Sequence, residues 1–445
     1  MKKRRHRSVY FPVILAACVL CFFLGRISAV YKFEKMEMRQ PQKSGEEGQT
    51  TEKMTGSDME EEQETEPGSI EGSEPETEIK MEVSADTEEK TDENDIWEEY
   101  LAKLSTEQKV AQLFIITPDA LTGIDSVTAA GESTYAALEQ YPVGGLIYFQ
   151  NNLLSYEQIS DMLHTVQDFS MEISGLPLFL ATDEEGGSVA RISGQGFGID
   201  SIEDMAQIGA NEDYDRAAEV GRYMGSYLCE LGFNVDFAPC ADVLTNSANT
   251  VVSRRSFGSD AKVVADMVEI QMKAFEKEGI LGVPKHFPGH GATSEDSHEG
   301  YASIYKTADE LDANEWLPFK EAIRNGAKFI MVGHIACPQI TNDNTPASMS
   351  HYMVTELLRN TLGFDGLVVT DALNMGAVSQ NYSSADAAVA AIQAGADLLL
   401  MPTDFYSAYY GVVDAVYSGE ITEERLNESI KRILKVKNEI RVHNK

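Results

Sequence analysis

The sequence predicts an α/β protein, a (β/α)8 barrel of the TIM type, preceded by a membrane anchor and a disordered acidic linker. Three observations carry that expectation. Eight short apolar runs recur at intervals long enough to hold a helix. Polar and charged residues gather where several of those runs end. The stretch before Ile96 differs in composition from everything after it.

The N-terminus comes first. A basic head, Lys2 to Arg7, precedes a mostly apolar run from Val9 to Gly25. The positive-inside bias holds the head in the cytoplasm and sends the rest of the chain outside. Two anchors compete for residues 1–30. Leu15-Ala16-Ala17-Cys18 looks like a lipoprotein processing box, but Val19 to Leu24 continue the apolar run, which favours an uncleaved signal anchor. Either one places the globular part on the extracytoplasmic face of a bacterial membrane.

Residues 31–95 read as a tether. From residue 44 to 95 there are about twenty acidic residues and only a handful of basic ones, with almost no aromatics. Such a stretch cannot bury enough apolar surface to offset its ordering entropy. It contributes about −17 to the net charge of −36. No basic stripe is present, so nucleic acid is excluded as a partner. Cys229, Cys240 and Cys337 in the globular part are too few and too scattered for a disulfide framework or a zinc spacing, and read as buried thiols.

Residues 96–445 form the expected barrel domain. Trp97 to Lys109 reads as a helix, with Ser105 and Gln108 placed as a capping box. The apolar runs follow: Leu113–Thr117, Gly145–Phe149, Leu178–Asp183, Asn234–Ala238, Ile280–Lys285, Phe329–His334, Leu367–Asp371 and Asp397–Met401. They are continuous rather than alternating, as strands buried on both faces should be. Helical patterns lie between them, at Tyr156–Ser170, Ala217–Leu231, Ala261–Glu278 and Ser383–Ala394. Thr422 to Ile440 would close the outer ring. An open doubly wound sheet is the main competitor. The barrel is favoured because Asp183-Glu184-Glu185, Lys285-His286, His334 and Asp371 all fall at run ends, which in a barrel share one face.

Three segments carry candidate chemistry. The first is Lys285-His286-Phe287-Pro288-Gly289-His290-Gly291, continuing to Asp296-Ser297-His298. The His286/His290 spacing invites a zinc reading, but Pro288-Gly289 breaks any helix that would bring both imidazoles to one face, so no metal is expected. A carboxylate at Asp296 beside His298 would fix the imidazole's tautomer and favour its protonated form. A loop hydrogen bond without a catalytic role is the alternative. The second segment is Leu367 to Met375, in which Asp371 ends an apolar strand; helix capping and catalysis are equally compatible with that place. The third is Asp183-Glu184-Glu185-Gly186-Gly187, where paired glycines allow a tight turn. Its acids suit sugar hydroxyls and would repel phosphate.

Together with Arg255-Ser256-Phe257-Gly258, Met331-Val332-Gly333-His334 and Pro346 to Ser350, these segments occur in an order that resembles glycoside hydrolase family 3. The likeness is to its single-domain β-N-acetylglucosaminidases and covers residues 97–440. The resemblance implies a (β/α)8 barrel, with Asp371 as nucleophile, His298 as acid/base and Asp296 as its dyad partner. It places the sugar against Asp183, Arg255, Lys285 and His286, with His334 also lining the site. Ala372 stands where the family commonly has a second acid, and Glu299-Gly300-Tyr301 where a proline is frequent.

The implied reaction is retaining hydrolysis of terminal β-linked N-acetylglucosamine, with no cofactor, by a monomer. The substrate expected outside a bacterial membrane is a peptidoglycan fragment (muropeptide), with a chitooligosaccharide as runner-up. A histidine donor would not repel an anionic acceptor, so phosphorolysis is an alternative, as is a β-glycosidase of the same family. A catalytically silent wall-binding barrel would lack Asp371 or His298, and both are present. A metal-dependent hydrolase would reveal itself by chelator sensitivity.

Overall fold

The computed structural model describes residues 100–293, 296, 297, 300 and 302–440, all within the unit Thr87–Lys445. The expected anchor and tether lie outside the described residues, and so does His298. Among the described residues no helix is long and apolar enough to cross a membrane.

The strands are β1 (Phe114–Ile116), β2 (Gly145–Ile147), β3 (Phe179–Thr182), β4 (Val235–Asp236), β5 (Leu281–Gly282), β6 (Ala302–Ser303), β7 (Phe329–Val332), β8 (Ile335–Ala336), β9 (Leu367–Thr370) and β10 (Leu399–Leu400). All eight expected runs contain one, and β6 and β8 are additions. Parallel pairing runs β10-β1-β2-β3-β4-β5 in one sheet and β7-β9 in another. Two parallel bridges join them, Phe287 to Val332 just beyond β5 and Val369 to Leu398 just before β10. The pairing therefore returns to its start, consistent with a TIM-type barrel and not with an open sheet. β6 and β8 pair separately as a two-stranded ribbon.

Continuous apolar sequence means burial on both faces. All four residues of β7 and of β9 are buried, in register from Phe329↔Leu367 to Val332↔Thr370. The first residues of β3 and β7 meet inside, with the Phe179 and Phe329 rings edge-to-face at 5.3 Å. The C-terminal ends of the strands are left for polar groups.

Outer helices obey their caps. We label α1 (Thr106–Gln112), α2 (Tyr156–Ser174), α3 (Tyr214–Leu231), α4 (Ala261–Glu278), α5 (Ser384–Ala394) and α6 (Glu423–Lys437). α4 has the expected bounds because Asp260 accepts from the amides of Lys262 and Val263 while Gly279 takes φ 88°, a left-handed C-cap. The expected Trp97–Lys109 helix is interrupted. Ser105 and Gln108 do form a capping box, but an N-cap must leave helical geometry, and Ser105 at ψ 164° starts α1 afresh. A π-helix, Tyr352–Thr361, occupies the connection from β7 to β9, where no helix was singled out. Behind it the buried Asp397 carboxylate joins Arg359 (2.5 Å) and Arg432 (3.1 Å), and accepts from the Val368 amide and the Ser429 hydroxyl.

Candidate active site

Asp371 is the first residue after β9, and its amide donates to Val332 of β7. It borders a cavity of about 420 Å³ that is also lined by Asp183, Glu185, Arg255, Lys285, His286 and Asp296. Residues at the ends of β3, β5 and β9 thus meet at one mouth, as the barrel argument expected. One oxygen of Asp371 accepts from the Ala372 amide at 2.8 Å.

The three acids after β3 separate by role. The turn is set by Gly187 (φ 55°), where a Cβ would come within 2.3 Å of the Asp204 carboxylate. Glu184 is turned away from the sugar position expected for these acids. It accepts from the amides of Arg191, Ile192 and Ser193 and from the Tyr227 hydroxyl, so it holds the loop. Glu185 takes Arg255 in a two-pronged pair, both contacts at 2.8 Å, and Lys285 at 2.6 Å. Lys285 also reaches Asp183 at 2.9 Å. Burial by itself would raise the Glu185 carboxyl, but Arg255 and Lys285 outweigh it and hold it far below the usual range. Burial likewise works against the Lys285 ammonium, which Asp183 and Glu185 nevertheless push up. The result is a charge-balanced, fixed array of donors and acceptors.

His286 extends this array. Its Nδ1 meets Asp242 at 2.7 Å, and its Nε2 faces the Arg255 guanidinium at 3.3 Å. A carboxylate at Nδ1 fixes the proton there, so Nε2 is the acceptor. Asp242 also accepts from the amides of His286 (3.2 Å) and His290 (2.5 Å) and from the Cys240 thiol (3.2 Å). Burial would raise its carboxyl, yet His286 and its other partners hold it low.

His290 does not act on the cavity. Burial lowers its pKa, and its ring contacts Thr293 at 2.9 Å and Ser297 at 3.0 Å. Ser297 in turn accepts the Ala377 amide through its carbonyl at 3.2 Å, which ties the loop bearing Asp296 to the segment after Asp371.

His334 departs from expectation. It is fully buried and lies behind the cavity rather than lining it. Its Nε2 donates to the Ala372 carbonyl at 3.0 Å, leaving Nδ1 to accept from Ser348 at 2.7 Å. Burial lowers its pKa. It supports the residue next to Asp371. Sequence reading missed Asp242 and Arg191, and passed over Glu185 in favour of Asp183. Arg191 borders the cavity, 3.8 Å from Asp183, with its guanidinium 5.5 Å from the Phe149 ring. Its place in the Gly-Gly-containing segment was the only signal available.

Comparison with known proteins agrees with this arrangement. The chain is 35% identical over 327 residues to β-hexosaminidase A of Pseudoalteromonas piscicida, covering 68% of this chain and 54% of that protein. It is 31% identical over 353 residues to β-hexosaminidase LpqI of Mycobacterium tuberculosis, covering 76% and 84% respectively. A solved family 3 β-N-acetylglucosaminidase from Paenibacillus sp. superposes with a TM-score of 0.70 at 35% identity, covering 76% of this chain and 62% of that one. The chain thus spans about half of the first of these relatives and most of the second. The model for the glycosyl hydrolase family 3 N-terminal domain matches residues 105–436. With the motif order, the parallel barrel pairing and the acids gathered at one mouth, this shows that the chain belongs to glycosyl hydrolase family 3.

Proposed function

We propose that the chain is a retaining exo-β-N-acetylglucosaminidase acting on peptidoglycan fragments at the outer face of a bacterial membrane, to which its N-terminal segment anchors it. The observation that carries this reading is the meeting of Asp371 with the Asp183–Lys285–Glu185–Arg255–His286 array around one cavity. The array's charges cancel, which suits neutral sugar hydroxyls, and each side chain is held before substrate arrives. The relatives' names supply the N-acetyl preference.

Asp371 attacks the anomeric carbon while His298, oriented by Asp296, protonates the departing oxygen. A covalent glycosyl-enzyme results. Water deprotonated by His298 then releases the sugar with its configuration kept. Asp183, Arg255, Lys285 and His286 hold the hydroxyls, and no cofactor takes part. His334 steadies Asp371 from behind, through the Ala372 carbonyl and its own closeness to Asp371. The test is release of chromophore from aryl β-N-acetylglucosaminide and from the β-glucoside. Wild type should turn over the first and not the second, and Asp371→Ala should turn over neither. Undiminished turnover by Asp371→Ala would sink the assignment. Adding phosphate and assaying for sugar 1-phosphate separates hydrolysis from phosphorolysis, and muropeptide against chitooligosaccharide turnover settles the polymer.

A further inference from the structure

The strongest feature outside the proposed catalytic steps lies beneath His286. Cys240, at the end of the loop after β4, Asp242 two residues on, and His286 after β5 place a thiol, a carboxylate oxygen and an imidazole nitrogen all within 4.8 Å of one another. All three residues are buried. Sequence spacing hides the group, since Cys240 and Asp242 lie more than 40 positions before His286. We propose that Cys240, Asp242 and His286 form a site for a soft divalent cation of the zinc type, and that filling it blocks sugar binding.

The geometry favours a cation at one point. The Cys240 thiol and the His286 Nδ1–H both aim at the same oxygen of Asp242, at 3.2 and 2.7 Å. One cation placed among them replaces both of those contacts with bonds to all three groups. Thiolate, imidazole and carboxylate together are a donor set for zinc rather than for magnesium or calcium. The other carboxylate oxygen is already oriented by the amides of His286 and His290, which is the outer support that a ligating carboxylate requires. Three protein ligands leave a fourth position for water. His290 does not fill it, because its ring is engaged by Thr293 and Ser297.

The effect on the cavity follows from proton bookkeeping. The thiol proton is released to solvent. When Nδ1 binds the cation it gives up its proton, and the ring's N–H is then at Nε2. There it confronts the Arg255 N–H group, now 3.3 Å away, donor against donor. His286 loses its acceptor and Arg255 is pushed from its place. This last step rests on the reading that His286 and Arg255 hold the sugar.

Binding and inhibition are therefore measured apart. The full chain, freed of metal with a chelator, is titrated with cobalt(II) and zinc. One equivalent should bind, cobalt should give a near-ultraviolet thiolate charge-transfer band, and each zinc should release one proton. Cys240→Ser keeps a hydroxyl toward Asp242, and Cys240→Ala removes it; both should lose the band, keep metal-free turnover and need at least about tenfold more zinc for inhibition. Absence of the band in wild type, or wild-type zinc affinity retained in both cysteine variants, overturns the site. A band with no change in turnover on zinc addition overturns the blocking step. If the chain hydrolyses no amino sugar, the absorption and proton counts still decide the metal site.

Discussion

Lys437 offers the sharpest test of how the barrel is held together. It is the last residue of α6, only 2% exposed, with its ammonium 2.8 Å from the Gln112 side-chain oxygen and 5.1 Å from the centre of the Phe179 ring. Burial pulls its pKa from 10.5 to about 7. Between those values the unfolded chain carries a proton that the folded chain lacks, so stability rises with pH across the window. Below about pH 7 both states are protonated and the cost of the buried charge is complete. At 1.36 kcal/mol per unit the window is worth at most about 5 kcal/mol, and the Phe179 face offsets part of it, leaving on the order of 4 kcal/mol.

Lys437→Met keeps the apolar stem and removes the titration. It leaves Gln112 short of one donor, a cost of about 1–3 kcal/mol that does not vary with pH. Urea unfolding of both proteins from about pH 6 to pH 10 reads the difference. The methionine variant should compare best with wild type at or below about pH 7 and lose ground steadily toward about pH 10. Two stability curves that run parallel over this range would refute the reasoning, whatever their vertical offset.

Other expectations follow from the same contacts. Asp242→Asn should free His286 from its fixed tautomer and lower kcat/KM about 10- to 100-fold, mostly through KM, as read by steady-state kinetics; an unchanged KM would remove Asp242 from the positioning of His286. Asp397→Ala leaves the buried ends of Arg359 and Arg432 without their carboxylate and should cost about 3–5 kcal/mol in urea unfolding. A loss under about 1 kcal/mol would mean that the cluster is solvated. Arg255→Lys keeps the charge but cannot reproduce the two-pronged contact with Glu185, so KM should rise while the fold's unfolding midpoint stays within a few degrees.

The strands were legible because burial on both faces writes itself as an uninterrupted apolar run, and β7 and β9 appear nearly residue for residue where such runs lie. Ribbon strands of two residues leave no period to read, which is why β6 and β8 went unseen. The helix preceding α1 was drawn through Ser105 although a capping box requires a break there. At the site, residues ending strands were legible from position alone. Partners were not. Glu185 and Arg255 are 70 positions apart, and Asp242 and His286 are 44 apart, so nothing local marks one as the support of the other. Glu184 and Glu185 are chemically alike neighbours, and only the direction of each side chain makes one a loop brace and the other an ion-pair hub.

Ser297 has a consequence for how such a site is held together. Its side chain meets His290 and its carbonyl receives Ala377, so the loop bearing Asp296 is fastened to the same body that carries Asp371. That fastening makes Asp296 and Asp371 parts of one mount. Altering Ser297 itself would loosen the mount, and with it the placement of Asp296 relative to Asp371.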